Sequence, residues 1–289
     1  MKLLVRHQTV YRYAASAGRV AMRLKLMPVD TPAQTVLEWQ VSVNGEPITG
    51  FHPNSYGERE AIWIRHDRLD HATIVAEGLV DTRESHGVVG HLSSRVDTRY
   101  FLRDTSLTRA SAGIAAMARD LPEQDGPLAT LHALSAAVSD AVQYRAGVTT
   151  SNTTAAQAFA LGAGVCQDHA QVFIAAARSI GIPARYVSGY LLAGDGDALH
   201  ETHGWAEAYL PQLGWIGFDP SNRVCVTERY LRVASGLDAD EAAPIRGSVT
   251  VAGDIWIDAD VRIAQAEDGV EQRQLQKQQQ QATPPDSEA

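Results

Sequence analysis

Gly162-Ala163-Gly164-Val165-Cys166-Gln167-Asp168-His169-Ala170-Gln171-Val172-Phe173-Ile174 is a glycine-punctuated turn that runs directly into an apolar helical segment, and it places one thiol at the start of a helix. The first N–H groups of a helix have no intrahelical partner and the macrodipole is positive there, so a cysteine at this point is expected to favour the thiolate. Such a thiol becomes a nucleophile only when a base and an orienting group reach it from elsewhere in the chain. Upstream, Thr154 and Gln157 have the spacing of a capping box and predict a short helix through Leu161, ended by Gly162 and Gly164. Downstream, Ala170, Phe173, Ile174 and Ala177 share one side of the helix beginning near Cys166, which Gly181 and then Pro183 close.

Beyond that helix, Ala184–Leu191 reads as a strand. His203–Tyr209 and Gly214–Asp219 read as two more, joined by the turn Pro211-Gln212-Leu213-Gly214 into a hairpin. Antiparallel pairing about this turn brings the beginning of the first strand beside the end of the second, so His203 and Asp219 are expected within a few residues of direct opposition. A carboxylate on one ring nitrogen fixes the tautomer and stabilises imidazolium, leaving the other nitrogen to take a proton from a thiol. With Cys166, the set is nucleophile, base and orienter, and all three sit at element ends, where sites are commonly built.

The amino-terminal hundred residues are of another kind. Leu3, Val5, His7, Thr9, Tyr11 and Tyr13 share one face of a period-two pattern, and Leu37, Trp39, Val41 and Val43 alternate with polar residues before the turn signal Asn44-Gly45. Ala61–Ile64 and Thr73–Val80 add two strands, so this region reads as an all-β, sandwich-like unit over residues 1–103. Its histidines give no metal-type spacing and read as ordinary strand or loop positions. After Arg103 alanine becomes frequent; a helical region is expected from near Ser106, and Leu131, Leu134, Val138 and Val142 recur at helical spacing. Val249–Ile263 suggests a final strand or pair of strands, which assigns residues 104–265 to a core, while the Gln-rich stretch 266–289 lacks apolar residues to bury and is expected to be disordered.

The 289 residues, 45% hydrophobic and 20% charged, suffice for two compact units. A net charge of -9 without a Lys/Arg cluster argues against nucleic acid and favours a small or peptidic ligand. Two cysteines make no disulfide framework. The apolar run at the start of the chain breaks after three residues, and no window approaches the roughly 18 apolar residues of a membrane span; a cytoplasmic protein without a membrane partner is expected.

Gly164-Val165-Cys166-Gln167-Asp168, Gly181–Tyr190, His203–Tyr209 and Gly214–Asn222 together resemble the bacterial transglutaminase-like proteins, which share a papain-like core. His7–Tyr13 and Arg23–Pro28 resemble the amino-terminal domain that accompanies this core in bacteria. The resemblance implies an α+β fold in which a helix bundle packs on an antiparallel sheet. It also implies a nucleophile, base and orienting acid at Cys166, His203 and Asp219. Position 169, usually aromatic in such proteins, is His169; position 204, more often alanine, is Gly204; and the turn of the β unit is Ser55-Tyr56-Gly57-Glu58.

The implied chemistry is acyl transfer through a thioester on a peptide or protein substrate, released by water (protease or amidase) or by a second amine (cross-linking), with no cofactor. An oxyanion hole is required. The Cys166 N–H is one donor; Gln157 or Asn152 is the expected source of the second, with His169 and Trp205 expected to line the site. Two other classes compete. Cys166 with His169 and His200 with His203 have the spacing of a structural zinc site, and a catalytically inactive module could use the cleft to bind a peptide or glycan. Calcium is not implied, because the Asp195-Gly196-Asp197 loop lacks the remaining ligands of a calcium loop.

Overall fold

The computed structural model describes residues 1–194, 202–266 and the backbone of 199–200. The expectations for the Asp195–Asp197 loop, the His200 side chain and the Gln-rich tail beyond residue 266 lie outside the described residues. The fold is mixed α+β with sheet predominating. Counting strands of three or more residues, the chain runs β1 (Lys2–Ala17), β2 (Arg19–Met27), β3 (Gln34–Val43), β4 (Arg59–Arg65), β5 (Leu69–Thr82) and β6 (Val88–Gly90). Four helices follow: α1 (Ala112–Arg119), α2 (Pro127–Ala141), α3 (Ala155–Leu161) and α4 (Cys166–Ser179). Then come β7 (Ala184–Leu191), β8 (Thr202–Leu210), β9 (Gly214–Asp219), β10 (Tyr230–Gly236), β11 (Ile245–Thr250) and β12 (Ile255–Gln265).

One antiparallel sheet has the order β9-β8-β7-β10, with β6 paired to β9. The helix α4 lies against this sheet and is buried from Asp168 through Arg178. Phe173 and Ile174 of α4, Leu131, Leu134 and Val138 of α2 and Ala206 and Phe218 of the hairpin form one buried cluster. This is the helical core expected from the periodicity of α2 and α4. The first helix starts later than the alanine content suggests: Thr105 and Thr108 exchange hydroxyl and backbone hydrogen bonds in a turn, and Ser111 caps α1 by accepting from the Ile114 N–H.

Two further sheets make up the amino-terminal unit. One has the order β12-β1-β5-β3, the other β11-β2-β4, and side chains from both contribute to a common apolar cluster that includes Leu24, Val41, Trp63 and Ile74. Strand β2 has the alternation Val20, Met22, Leu24, Leu26 that marks a half-buried strand, a signal the sequence reading passes over. Leu37 points to solvent because a bulge between Val36 and Glu38 shifts the register of β3 by one residue and moves it off the buried face.

Strand pairing ties residues 245–265 to the first unit. β12 pairs with β1 from Leu3↔Gln265 to Tyr13↔Ile255, and β11 pairs with β2. The chain therefore leaves the core after β10 and completes both sheets of the first unit, a pairing of distant segments that no local pattern encodes. A mixed apolar cluster of Leu3, Val5 and Val261 with Tyr190 and Leu231 seals the two units together. No helix among the described residues is long and apolar enough to cross a membrane.

Candidate active site

The start of α4 is held by its own neighbours. Thr154 and Gln157 form the capping box of α3, and Gly162 ends that helix in the left-handed conformation at φ 65°. The chain then passes through Gly164, where a Cβ would stand 2.5 Å from the Asp168 carboxylate. Asp168 needs that space: its Oδ2 accepts from the Val165 N–H at 2.8 Å and from the Thr149 hydroxyl at 2.7 Å, so it caps α4 from inside the first turn. Cys166 follows as the first helical residue, half-buried, on the wall of a cleft of about 640 Å³.

The hairpin β8–β9 delivers the other two groups. Ala206 pairs with Phe218 and Leu210 with Gly214, and the splayed ends beyond this register let His203 Nε2 reach Asp219 Oδ2 at 2.7 Å. Asp219 is buried and receives six hydrogen bonds. Oδ1 accepts from the Ser221 N–H and hydroxyl and from the Asn222 N–H; Oδ2 accepts from His203, the Asn222 amide and the Tyr230 hydroxyl. Burial alone would raise its pKa, but the His203 hydrogen bond and charge, with the hydrogen bonds from Ser221 and Asn222, bring it down to about 2. Burial likewise opposes charge on His203; the hydrogen bonds to Asp219 and Cys166 and their negative charges outweigh it and lift the ring to about 10. The side chain of Trp205, two residues along β8, stacks on the His203 ring with centroids 6.3 Å apart, and Tyr230 meets Trp205 edge-on at 5.5 Å.

The structure thus brings Cys166, His203 and Asp219 together. Of the other four candidates, one lines the same cleft. Asn152 is exposed and lines the cleft. Gln157 does not line it: its Oε1 accepts from the Thr154 N–H and hydroxyl in the capping box that starts α3. Trp205 is not on the cleft wall but buried in a separate apolar cluster with Val187, Trp215 and Tyr230. His169 is also off the wall. It is buried with Nδ1 2.9 Å from the Val165 carbonyl and Nε2 2.6 Å from the Val142 carbonyl, and it ties the first turn of α4 to the end of α2. With both nitrogens on carbonyls, it cannot pair with Cys166 as the zinc reading requires. Among the described residues, no group of three or more His, Cys, Asp or Glu side chains is placed to hold a metal ion.

Two features escape the sequence reading. Tyr186, on β7, forms part of the cleft wall beside Cys166 and His203. Gly204 is explained by it: a Cβ at 204 would lie 1.8 Å from the Tyr186 hydroxyl. The only signal was the departure at position 204 itself. The Ser55–Glu58 turn of the first unit docks onto the core sheet. Glu58 accepts from Arg232 at 2.8 Å and from the Ser235 hydroxyl at 2.6 Å; Arg232 also bonds Glu207, which binds Arg185 at 2.7 Å. Burial opposes the charge on Glu58, but Arg232, Lys25 and Ser235 hold its pKa below the usual range. The first unit also supplies Arg246 of β11 to the cleft, paired to Asp240 at 2.6 Å.

The transglutaminase-like superfamily model matches residues 115–220, and the bacterial transglutaminase-like N-terminal region matches residues 3–81. An uncharacterized protein of Mycobacterium leprae is 26% identical over 275 residues, covering 91% of this chain and 98% of its own length. An uncharacterized protein of Mycobacterium tuberculosis is 37% identical over 116 residues, 37% of either chain. Among solved structures, a protein of Cytophaga hutchinsonii described as a candidate cysteine protease superposes with a TM-score of 0.73 at 21% identity, covering 92% of this chain and 91% of that one, which establishes a common fold. The chain thus carries a transglutaminase-like core region at residues 115–220, preceded by a bacterial transglutaminase-like N-terminal region at residues 3–81.

Proposed function

We propose that the protein is a cysteine-dependent acyl-transfer enzyme acting on peptide or amide substrates, with Cys166 as nucleophile, His203 as general acid and base, and Asp219 as the group that orients and charges the ring. The observation that carries this reading is His203, bonded through Nε2 to Asp219 at 2.7 Å and lining one cleft with Cys166, with its charge favoured by both neighbours. A ring in that state keeps the thiol proton close. It returns the proton to the leaving amine after Sγ has added to the carbonyl carbon and the tetrahedral adduct collapses to a thioester. Water or an amine then attacks the thioester, with His203 taking the proton. Hydrolysis is favoured over cross-linking because water needs no dedicated acceptor pocket.

Incubation with a peptide library at neutral pH, followed by intact mass measurement, tests the assignment. A thioester adduct on Cys166 that is lost in Cys166→Ala and slowed by about 10²–10⁴-fold in His203→Ala is expected. Turnover that survives Cys166→Ala would refute it. Adding a primary amine separates the two outcomes: carboxylic acid products indicate hydrolysis, amide products transamidation.

A further inference from the structure

A buried phenol that finds no partner invites an explanation, because the tyrosine hydroxyl normally hydrogen-bonds when its ring is buried. Tyr186 is such a residue. Its ring packs in the helical core against β8 and is 6% exposed, yet among the described residues its hydroxyl makes no hydrogen bond, and that oxygen is not sealed from the cleft. The hydroxyl rests over the backbone of Gly204, in a space that any side chain at 204 would fill at 1.8 Å. The neighbouring residue along β8 is His203, and Cys166 shares the same cleft wall. The strand therefore forgoes a side chain at the position where this oxygen sits, on the wall of the cleft that Cys166 and His203 also line.

We propose that the Tyr186 hydroxyl is the second hydrogen-bond donor of the oxyanion site, acting with the Cys166 N–H on the acyl oxygen of the bound substrate. The proposal rests on the thiol mechanism above and places the donor on the cleft wall, which Gln157 does not line. Burial comes first, and then the negative charges at Cys166, Asp168 and Asp219, in holding the phenol well above its ordinary range, so the hydroxyl stays a donor throughout the working pH range. Its place beside these anions suits it to share a proton with an oxyanion and not to become one. In the step it serves, Sγ bonds to the carbonyl carbon and the π pair moves to oxygen. The Tyr186 O–H and Cys166 N–H stabilise that oxygen until the pair returns and the leaving group departs.

Two probes of Cys166 separate this role from a structural one. Iodoacetamide alkylates the thiol by displacement and forms no oxyanion, whereas p-nitrophenyl acetate acylates it through a tetrahedral oxyanion and releases p-nitrophenolate. In Tyr186→Phe, which keeps the ring in the core, the acylation burst is expected to slow by about 10²-fold, as for loss of one oxyanion donor, while the alkylation rate and its pH profile stay within about twofold of the parent. Gly204→Ala, which displaces the hydroxyl without removing it, is expected to slow acylation as well. Equal losses in both probes would assign Tyr186 a structural role, and unchanged acylation in Tyr186→Phe would overturn the proposal outright. A parent protein in which neither probe labels Cys166 would refute the thiol mechanism itself and the proposal with it.

Discussion

At the scale of single residues, the site is governed by how much charge Asp219 can hold next to His203. Six donors converge on one buried carboxylate, and the imidazole draws its charge from that carboxylate and from the thiol. The sign of the pH dependence follows. His203 is raised from 6.5 to about 10, so its contribution to folding is complete below pH 6.5 and is lost as pH rises through about 10. Asp219 is lowered from 3.8 to about 2, so its contribution is present above pH 3.8 and is lost as pH falls through about 2. Cleavage of an amide needs the ring protonated when the amine departs, so amide turnover should fall as pH rises past about 10. Iodoacetamide should also prefer Cys166 to Cys225, whose thiol burial pushes up, and the preference should vanish in His203→Ala. Equal alkylation of the two thiols in the parent protein, followed by peptide mapping, would be incompatible with an activated Cys166.

Elements decide how accurately those residues are placed, and here the local code was largely readable. The capping box of α3, the left-handed Gly162, the start of α4 at Cys166 and the β8–β9 hairpin are all short-range features, so spacing along the chain sufficed to foresee that His203 and Asp219 meet. What spacing missed depends on contacts across elements. Tyr186 reaches Gly204 from a neighbouring strand, Tyr230 reaches Asp219 from 11 residues away, and His169 joins α4 to the Val142 carbonyl. Gly164 shows the division in one position. Its glycine character was legible as a helix breaker, but the structure gives a different cause: a Cβ there would lie 2.5 Å from the Asp168 oxygen and 2.6 Å from its Cβ. Gly164→Ala should therefore displace the cap of α4, lower stability by about 1–3 kcal/mol and slow alkylation of Cys166, which urea unfolding and a labelling time course measure. A variant as stable as the parent would mean that α4 shifts without strain and that the glycine is not required.

On the scale of the whole molecule, the two units are interleaved and not strung in series. The chain enters through β1, builds the core, and returns through β11 and β12 to the sheets it began with, so no cut between residues 103 and 104 separates them. His7 lies in the seam. Its Nδ1 is 2.9 Å from the Tyr190 hydroxyl of the core and its Nε2 is 2.9 Å from the Thr9 hydroxyl, two partners that can each donate or accept, so a neutral ring is fully satisfied. Burial, only partly offset by Asp260, lowers its pKa from 6.5 to about 4. In that interval the unfolded chain binds the proton and the folded one does not, so acidification draws the equilibrium toward unfolding, the opposite of the His203 effect. Between pH 7 and pH 5 the loss from His7 alone comes to about 2 kcal/mol. His7→Gln can keep both hydrogen bonds without a titrating group. Comparison of parent and variant by urea unfolding at the two pH values cancels the contributions of every other group, and the stability difference between them should shift by that amount in favour of the variant at pH 5. A difference that does not change with pH would mean that His7 titrates alike in both states and that the seam is open to water.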